Sequence, residues 1–184
     1  VNQDGRTSGI SAPNGESQKA CIRAALAEAQ LTPADITYLE AHGTGTPLGD
    51  PLEVNAAAAV LAAERTSPLL LGSVKANIGH LEAAAGIAGL IKSVLALSHG
   101  EIPGQLHFET PNALVRWDKL PLEVPTNTAP WPASARRRIA GGSAFGFSGT
   151  NAHVVLEEAP AVEPAATQSD RPLHLLTLSA RTPD

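Results

Sequence analysis

Two histidines lie in separate polar, glycine-rich turns, and their surroundings are the part of the sequence best suited to chemistry. His42 opens the sequence His-Gly-Thr-Gly-Thr (42–46), and His80 ends the sequence Lys-Ala-Asn-Ile-Gly-His (75–80). A short apolar run that predicts a β-strand comes shortly before each turn. Because α/β folds place chemistry in the loops that leave the sheet, both turns are candidate active-site loops.

The first turn has the composition of a narrow channel lined with hydrogen-bonding groups. Gly43 and Gly45 let the backbone approach a ligand closely, and Thr44 and Thr46 alternate with them and offer hydroxyl groups. A lone turn histidine more often ties its own loop together, but these neighbours favour a binding role for His42. The Gly-x-x-x-x-Gly-Lys-Ser/Thr order of a nucleotide-binding loop is absent from the turn.

The second turn leads directly into an Ala/Gly-rich segment. A neutral imidazole of His80 at the start of that predicted helix could donate a hydrogen bond to an oxyanion. Lys75 lies five residues earlier, and its position beside Asn77 and His80 favours an active-site role over that of a solvated loop lysine. Glu82 either pairs with Lys75 or faces solvent.

A third glycine-rich run covers residues 141–151. It predicts a tight hairpin between two buried strands, and such a turn also exposes backbone N–H groups that suit an oxyanion hole. Phe145 and Phe147 would wall or gate a pocket there. The Asn-x-His sequence that follows, Asn151 to His153, predicts structural hydrogen bonding.

The remaining reactive residue types lack such context. Cys21 is the single cysteine, so an intramolecular disulfide and a cysteine-based metal site are excluded. It lies inside a predicted helix and is expected to be a small buried residue rather than a nucleophile. Three further histidines have no supporting neighbours, namely His99, His107 and His174. The run 136–138, three arginines, is expected to be solvated.

The bulk numbers are those of one ordinary globular domain. The chain has 184 residues, 43% hydrophobic and 17% charged, with a formal net charge of -5. This charge gives no reason to expect nucleic acid or an anionic membrane as a partner, and no apolar run approaches the roughly 20 residues of a membrane span. The lack of disulfides fits a reducing compartment such as the cytoplasm. With no Met and no signal peptide at its start, the chain is interpreted as part of a longer protein.

The predicted elements alternate as in one half of a layered α/β fold. Helices are expected over 17–30, 51–64 and 81–98, and strands over 36–41, 69–74, 122–124, 138–145 and 152–157. Asn14 or Ser17 is expected to cap the first helix and Asp50 the second. Residues 1–15 are expected to be a loop.

Two further segments have a distinct composition. The helix over 81–98 is apolar almost all round, which is typical of a helix buried on several sides. Residues 161–172, rich in Ala and Pro, indicate a linker, and 173–180 predict a strand that opens whatever follows.

In combination and order, three blocks make the chain resemble the C-terminal half of a β-ketoacyl synthase (ketosynthase) of a type I modular polyketide synthase. The blocks are residues 40–51, 72–86 and 143–157, supported by 2–7 and 97–111. The resemblance implies an α/β thiolase-like layered sandwich, with a mixed sheet flanked by helices. It also implies that residues 1–160 are the C-terminal part of the ketosynthase and that 161–184 lead towards an acyltransferase domain.

The resemblance further implies a decarboxylative Claisen condensation. By motif, His42 and His80 match the two active-site histidines that stabilise the enolate, and Lys75 matches the lysine that orders them. Thr44 and Thr46 match the threonines that contact the phosphopantetheine arm. The backbone N–H of Phe147 matches one oxyanion-hole donor, while Phe145 is expected to line the substrate pocket.

The family's nucleophilic cysteine belongs to the N-terminal half, and nothing in this chain corresponds to it. We therefore expect the 184 residues alone to be inactive. The implied partners are the N-terminal half of the same ketosynthase, an acyl carrier protein that delivers the phosphopantetheine arm, acyl and malonyl-type thioesters, and a second copy in a homodimer. No metal or directly bound cofactor is implied. A non-catalytic scaffold, a decarboxylating loading domain and a fatty-acid synthase remain alternatives.

Overall fold

The computed structural model describes residues 1–9, 12–63, 65–133 and 137–160, and helices and strands alternate along them. The helices are α1 (Gly15–Ala29), α2 (Gly49–Leu61), α3 (Lys75–Ile78) and α4 (Ala85–His99). The strands are β1 (Asn2–Gln3), β2 (Tyr38–Glu40), β3 (Leu69–Gly72), β4 (Glu101–Ile102), β5 (Leu122–Glu123), β6 (Ala129–Pro130), β7 (Ile139–Phe145) and β8 (Thr150–Glu157).

Six of these strands form one mixed sheet in the order β1-β8-β7-β2-β3-β5. Strand β2 pairs in parallel with both β3 and β7, whereas β8 runs antiparallel to β7 and to β1. The carboxyl ends of β2, β3 and β7 therefore meet at the same edge of the sheet. Strands β4 and β6 form a separate two-stranded sheet. A mixed sheet flanked by helices confirms the predicted fold class.

The sheet separates two apolar clusters, because successive side chains of a strand point to opposite faces. Leu39 of β2 belongs to the cluster that contains Ile22 of α1 and Leu61 of α2. Tyr38, its neighbour on β2, belongs to the other cluster, which contains Leu97 of α4. Helices α1 and α2 thus cover one face of the sheet and α4 covers the opposite face.

Of the two helix caps predicted from the sequence, the structure contains one and lacks the other. The Asn14 side chain accepts hydrogen bonds from the N–H groups of Glu16 and Ser17, so the prediction of Asn14 as a cap is confirmed. The prediction of Asp50 as a cap was wrong. Helix α2 begins at Gly49, and Asp50 instead accepts the N–H of Gly45 in the preceding loop.

Several other segments differ from their predicted structure. Residues 2 and 3, predicted as loop, form β1 because β8 offers them an edge. The predicted helix over 81–98 is a short 3-10 turn, Glu82–Ala84, followed by α4. Arg137 is exposed as predicted, whereas Arg138 is only partly exposed, because its guanidinium pairs with Glu158 and donates to the Trp131 carbonyl. The predictions for 161–172 and 173–180 lie outside the described residues.

Helix α4 is not buried on several sides in this chain. One face packs on the sheet, but Ile87 and Ile91 on the other face are each 53% exposed, and Leu95 continues that stripe one turn later. The described residues cover only the side of the helix that faces the sheet. None of the described helices is long and apolar enough to span a membrane.

Candidate active site

The parallel arrangement of β2, β3 and β7 brings three predicted site residues to one edge of the sheet. His42 follows the end of β2, Lys75 begins α3 just after β3, and Phe145 is the last residue of β7. The register pairs Glu40 of β2 with Gly72 of β3 and with Gly142 of β7. The predicted site residues therefore lie where such sheets usually carry their active sites, outside the carboxyl ends of the strands.

A buried carboxylate holds the His42 loop. Glu53 of α2 accepts the backbone N–H of His42 at 2.7 Å through one oxygen and that of Gly43 at 2.9 Å through the other. Burial raises the pKa of Glu53 to about 7, although these two N–H donors act in the opposite direction. Glu53 thus ties the first turn of the site to the helix behind it.

Gly43 and Gly45 serve the loop in different ways. Gly43 has φ +50°, and a Cβ there would come within 2.8 Å of the Ser73 side chain. Gly45 has φ +73° with open space around it. The close approach predicted for this turn is therefore a contact between two protein segments at Gly43, whereas the space at Gly45 is free for a ligand.

The two threonines of the turn lie side by side. Their hydroxyl oxygens, Thr44 Oγ1 and Thr46 Oγ1, are 3.4 Å apart, and Thr46 also accepts the N–H of Gly49 at the start of α2. Both side chains line the same cavity as His42. The prediction of a channel wall with hydroxyl groups is consistent with this position.

His42 is at the centre of an aromatic contact with two other predicted site residues. Its ring meets that of His80 edge to face, with centroids 5.5 Å apart, and that of Phe145 in the same way at 5.7 Å. Burial lowers the pKa of His42 to about 4, and the proximity of Lys75 and His80 acts in the same direction. His42 is therefore neutral near pH 7 and has one ring N–H to donate.

The orientation of His80 is set by the backbone that follows it. Its Nδ1 atom accepts the N–H of Glu82 at 2.9 Å. In the neutral imidazole the proton therefore lies on Nε2, because Nδ1 is occupied as an acceptor. His80 is itself exposed and lies at the mouth of the site, between α3 and α4.

A cavity of about 490 Å³ brings six of the seven predicted site residues together. Its walls include His42, Thr44, Thr46, His80, Phe145 and Phe147. Its other walls include Asp4, Gln18 and Glu53, which the sequence pattern did not indicate as site residues.

Lys75, the seventh, faces a second cavity of about 570 Å³ on the other side of the Gly43–Gly45 segment. The two cavities share Thr44 and Glu53 as walls. Burial lowers the pKa of Lys75, while the carboxylates of Glu53 and Glu40 act in the opposite direction. Within the described part of the chain, no ion pair joins Lys75 to Glu82, which faces solvent. The ammonium of Lys75 nevertheless lies close enough to His42 to oppose protonation of its imidazole.

The turn between β7 and β8 presents Phe147. Its side chain is 78% exposed, and its backbone N–H has no acceptor among residues 1–9, 12–63, 65–133 and 137–160. Two hydrogen bonds with Asp4 anchor this turn. The Asp4 N–H donates to the Gly149 carbonyl, and the Asn151 amide donates to the Asp4 carboxylate. The predicted structural role of Asn151 is confirmed. His153 likewise lies 2.9 Å from the Ser143 hydroxyl.

Cys21 lies away from this edge. It is 2% exposed in α1, and its thiol contacts the Asn151 carbonyl oxygen. The prediction of a buried structural cysteine is confirmed. Glu53 had one signal in the sequence, as the lone charged residue of 51–61, but its partners are backbone groups of the preceding loop that no local pattern reveals.

Known proteins match the whole length of the chain. The family described as "Beta-ketoacyl synthase, C-terminal domain" matches residues 1–109, and "Ketoacyl-synthetase C-terminal extension" matches 111–184. The chain belongs to the β-ketoacyl synthase family. The family resemblance and the thiolase-like fold that the sequence predicted are thereby confirmed.

The relatives are very large proteins. "Polyketide synthase GfsA" of Streptomyces halstedii is 52% identical over 100% of this chain, and "Erythronolide synthase EryA3" of Saccharopolyspora erythraea is 52% identical over 98% of it. The chain spans only 2% and 6% of their respective lengths. Both names are those of synthases of polyketide type, which agrees with the predicted class of parent protein.

Solved ketosynthase structures have the same fold. The ketosynthase from module 6 of the bacillaene synthase of Bacillus subtilis 168 superposes with a TM-score of 0.82 at 43% identity over 87% of this chain. The ketosynthase domain OzmH KS7 of the oxazolomycin synthase of Streptomyces albus JA3453 gives 0.81 at 43% identity over 89%. The chain spans 29% and 30% of these two proteins.

Proposed function

We propose that this chain supplies the decarboxylation apparatus of a ketosynthase in a modular polyketide synthase. In this role the complete enzyme condenses an acyl thioester with a malonyl-type extender carried by an acyl carrier protein. The observation that carries the proposal is the contact between the imidazoles of His42 and His80 in one cavity, 5.5 Å between centroids, with His42 dehydrated and neutral.

The reaction develops negative charge on a thioester oxygen, within reach of the imidazoles of His42 and His80. When the bond between the extender's α-carbon and its carboxylate breaks, CO2 leaves and the electron pair moves towards the thioester carbonyl oxygen. Ring N–H donors of His42, which is neutral, and of His80 stabilise that enolate oxygen. The carbanion then attacks the acyl thioester carbonyl, and the thiolate that held the acyl chain departs.

The other site residues have supporting roles in this proposal. Lys75 orders the polar network through its charge near His42, and Thr44 and Thr46 bind the phosphopantetheine arm. The N–H of Phe147, without an acceptor in the described residues, donates to the second oxyanion, and Phe145 walls the substrate pocket.

The nucleophilic cysteine, in this proposal, belongs to another part of the protein. Cys21 is the single cysteine of the sequence, and its thiol is buried against the Asn151 carbonyl rather than directed to the cavity. The 184-residue chain alone is therefore expected not to condense thioesters. Residues 161–184 are proposed to lead on to an acyltransferase domain in a cytoplasmic protein.

The exposed apolar face of α4 indicates where the rest of the ketosynthase packs. Ile87, Ile91 and Leu95 repeat along one side of the helix and, with Ile78 and Leu81, line an apolar cavity of about 600 Å³. Exposed patches of this kind mark interaction surfaces. We propose that the N-terminal half of the same ketosynthase covers this face, with a second copy completing a homodimer elsewhere.

CO2 release from a malonyl thioester on carrier protein tests the function in the complete ketosynthase. We expect His42→Ala and His80→Ala each to lower the rate by roughly 100- to 1,000-fold, the scale of a lost oxyanion donor. Glu28→Ala, on an exposed position of α1 outside the cavity, is the control. Unchanged release in both variants would contradict the proposal. Release without condensation would favour a decarboxylating loading domain instead.

A further inference from the structure

Glu40, the last residue of β2, carries a buried carboxylate that lies outside the cavity of His42 and His80. It is 2% exposed, and a buried carboxylate is costly unless it is fully paired. Both oxygens of Glu40 are engaged. Oε1 accepts the N–H of Val74 at 2.5 Å, and Oε2 accepts the Tyr38 hydroxyl at 2.6 Å and pairs with Lys92 Nζ at 2.9 Å.

These partners come from the segments that carry the site residues. Glu40 stands two residues before His42, and Val74 stands directly before Lys75. Lys92 lies on α4, the helix that follows His80. One buried carboxylate therefore joins the ends of β2 and β3 to α4.

Two glycines leave the room that this arrangement needs. A Cβ at Gly89 of α4 would lie 3.1 Å from Glu40 Cγ, so the helix approaches the Glu40 side chain as closely as a backbone can. A Cβ at Gly72 of β3 would lie 2.5 Å from the Tyr38 hydroxyl and 3.0 Å from Lys92 Nζ. The cluster is thus closely surrounded on two sides, and Glu40 has little freedom to move.

We propose that Glu40 is a positioning residue that fixes Lys75 relative to His42 through its bond to the Val74 N–H, while Lys92 balances its charge, an inference that rests on the proposed function. Glu40 does not line the cavity of His42 and His80, so it acts through these neighbours rather than on substrate. Its charge also reaches Lys75, since it raises the pKa of that ammonium against the lowering by burial.

Two double variants of the complete ketosynthase separate this role from plain stabilisation. Glu40→Gln/Lys92→Met and Glu40→Met/Lys92→Met both remove the buried charge pair, a replacement that proteins often tolerate. Only the Gln variant retains an oxygen that can accept the N–H of Val74. The two proteins are compared by thermal unfolding and by kcat and KM for CO2 release from a malonyl thioester.

We expect similar unfolding temperatures, a kcat close to wild type for the Gln variant, and a kcat lowered by roughly 10- to 100-fold with unchanged KM for the Met variant. Glu40→Leu/Lys92→Met serves as the apolar variant should the Met variant not fold. Equal kcat in the Gln and apolar variants would overturn the positioning role alone. Absence of CO2 release from the wild type would overturn the proposed function and, with it, this inference.

Discussion

The rings of His42 and His80 meet edge to face, with their planes at 88°, although one follows β2 and the other follows α3. Their centroids are 5.5 Å apart, close enough for both rings to reach one substrate oxygen. Neither element fixes this contact by itself. It depends on the β2–β3 register and on the two loops that leave these strands.

A substitution at Gly43 should disturb the position of the neighbouring His42. We expect Gly43→Ala to lower the free energy of unfolding by about 2–5 kcal/mol, because Ala adds left-handed strain and a clash with Ser73, and to reduce CO2 release by displacing His42. Gly45→Ala adds the strain without the clash and should cost about 1–2 kcal/mol. Chemical denaturation of the 184-residue variants measures both, and equal losses would contradict the clash.

Glu53 supports the same loop from the side of α2. Glu53→Ala leaves the N–H groups of His42 and Gly43 without acceptors, which should cost about 1–3 kcal/mol for each buried donor. Glu53→Gln keeps one acceptor oxygen, so its loss should be about half as large. Urea unfolding measures these differences. Asn55→Ala, an exposed position on the same helix, is the control, and a Gln variant as unstable as the Ala variant would contradict the argument.

The sequence predicted the parts of this site that depend on local pattern. Strand ends followed by polar turns located His42, His80 and Phe145, and the Asn14 cap was evident from the residue type. What the sequence did not reveal depends on chain segments that are far apart. No local periodicity in the sequence encodes the partners of these groups. Glu53 accepts backbone N–H groups, β1 pairs with β8, and Arg138 pairs with Glu158.

Helix α4 is a case in which the sequence predicted more burial than the structure shows. Its apolar periodicity indicated burial, and the pattern is a property of the residues alone. Whether Ile87 and Ile91 are covered depends on what lies beside the helix, which the described residues do not supply. The prediction of burial on several sides was therefore wrong for this chain, while the prediction of a helix was confirmed.

His153 gives the stability of the chain a defined pH dependence. Burial lowers its pKa to about 4, whereas an unfolded histidine has a pKa of about 6.5. Between these values the unfolded chain binds more protons, so the free energy of unfolding falls as pH drops from about 6.5 to about 4, by about 3 kcal/mol in total. Above about pH 6.5 the contribution is constant.

The variant His153→Gln should make this slope less steep, since glutamine does not titrate, and urea unfolding at several pH values measures it. His42, whose pKa burial also lowers to about 4, keeps its own slope of the same sign in every variant. Ser143→Ala is the matched control, because it removes the hydrogen-bond partner of the ring but leaves the imidazole buried. It should lower stability at every pH without changing the slope. The carboxyl of Glu53, whose pKa burial raises, is common to all three proteins, so its own slope of opposite sign cancels in the comparison. An unchanged slope in His153→Gln would show that another group causes the dependence.

The exposed face of α4 predicts opposite effects of one substitution in two contexts. In the 184-residue chain, Ile91→Lys replaces an apolar side chain that is 53% exposed, so it should reduce self-association and the binding of an apolar dye at little cost in stability. In the complete ketosynthase the same lysine would be buried without a partner, which should lower the unfolding temperature sharply and reduce activity. Glu28→Lys, on an exposed position of α1, should have little effect in either context. A complete protein that tolerates Ile91→Lys would mean that the N-terminal half does not pack on this helix.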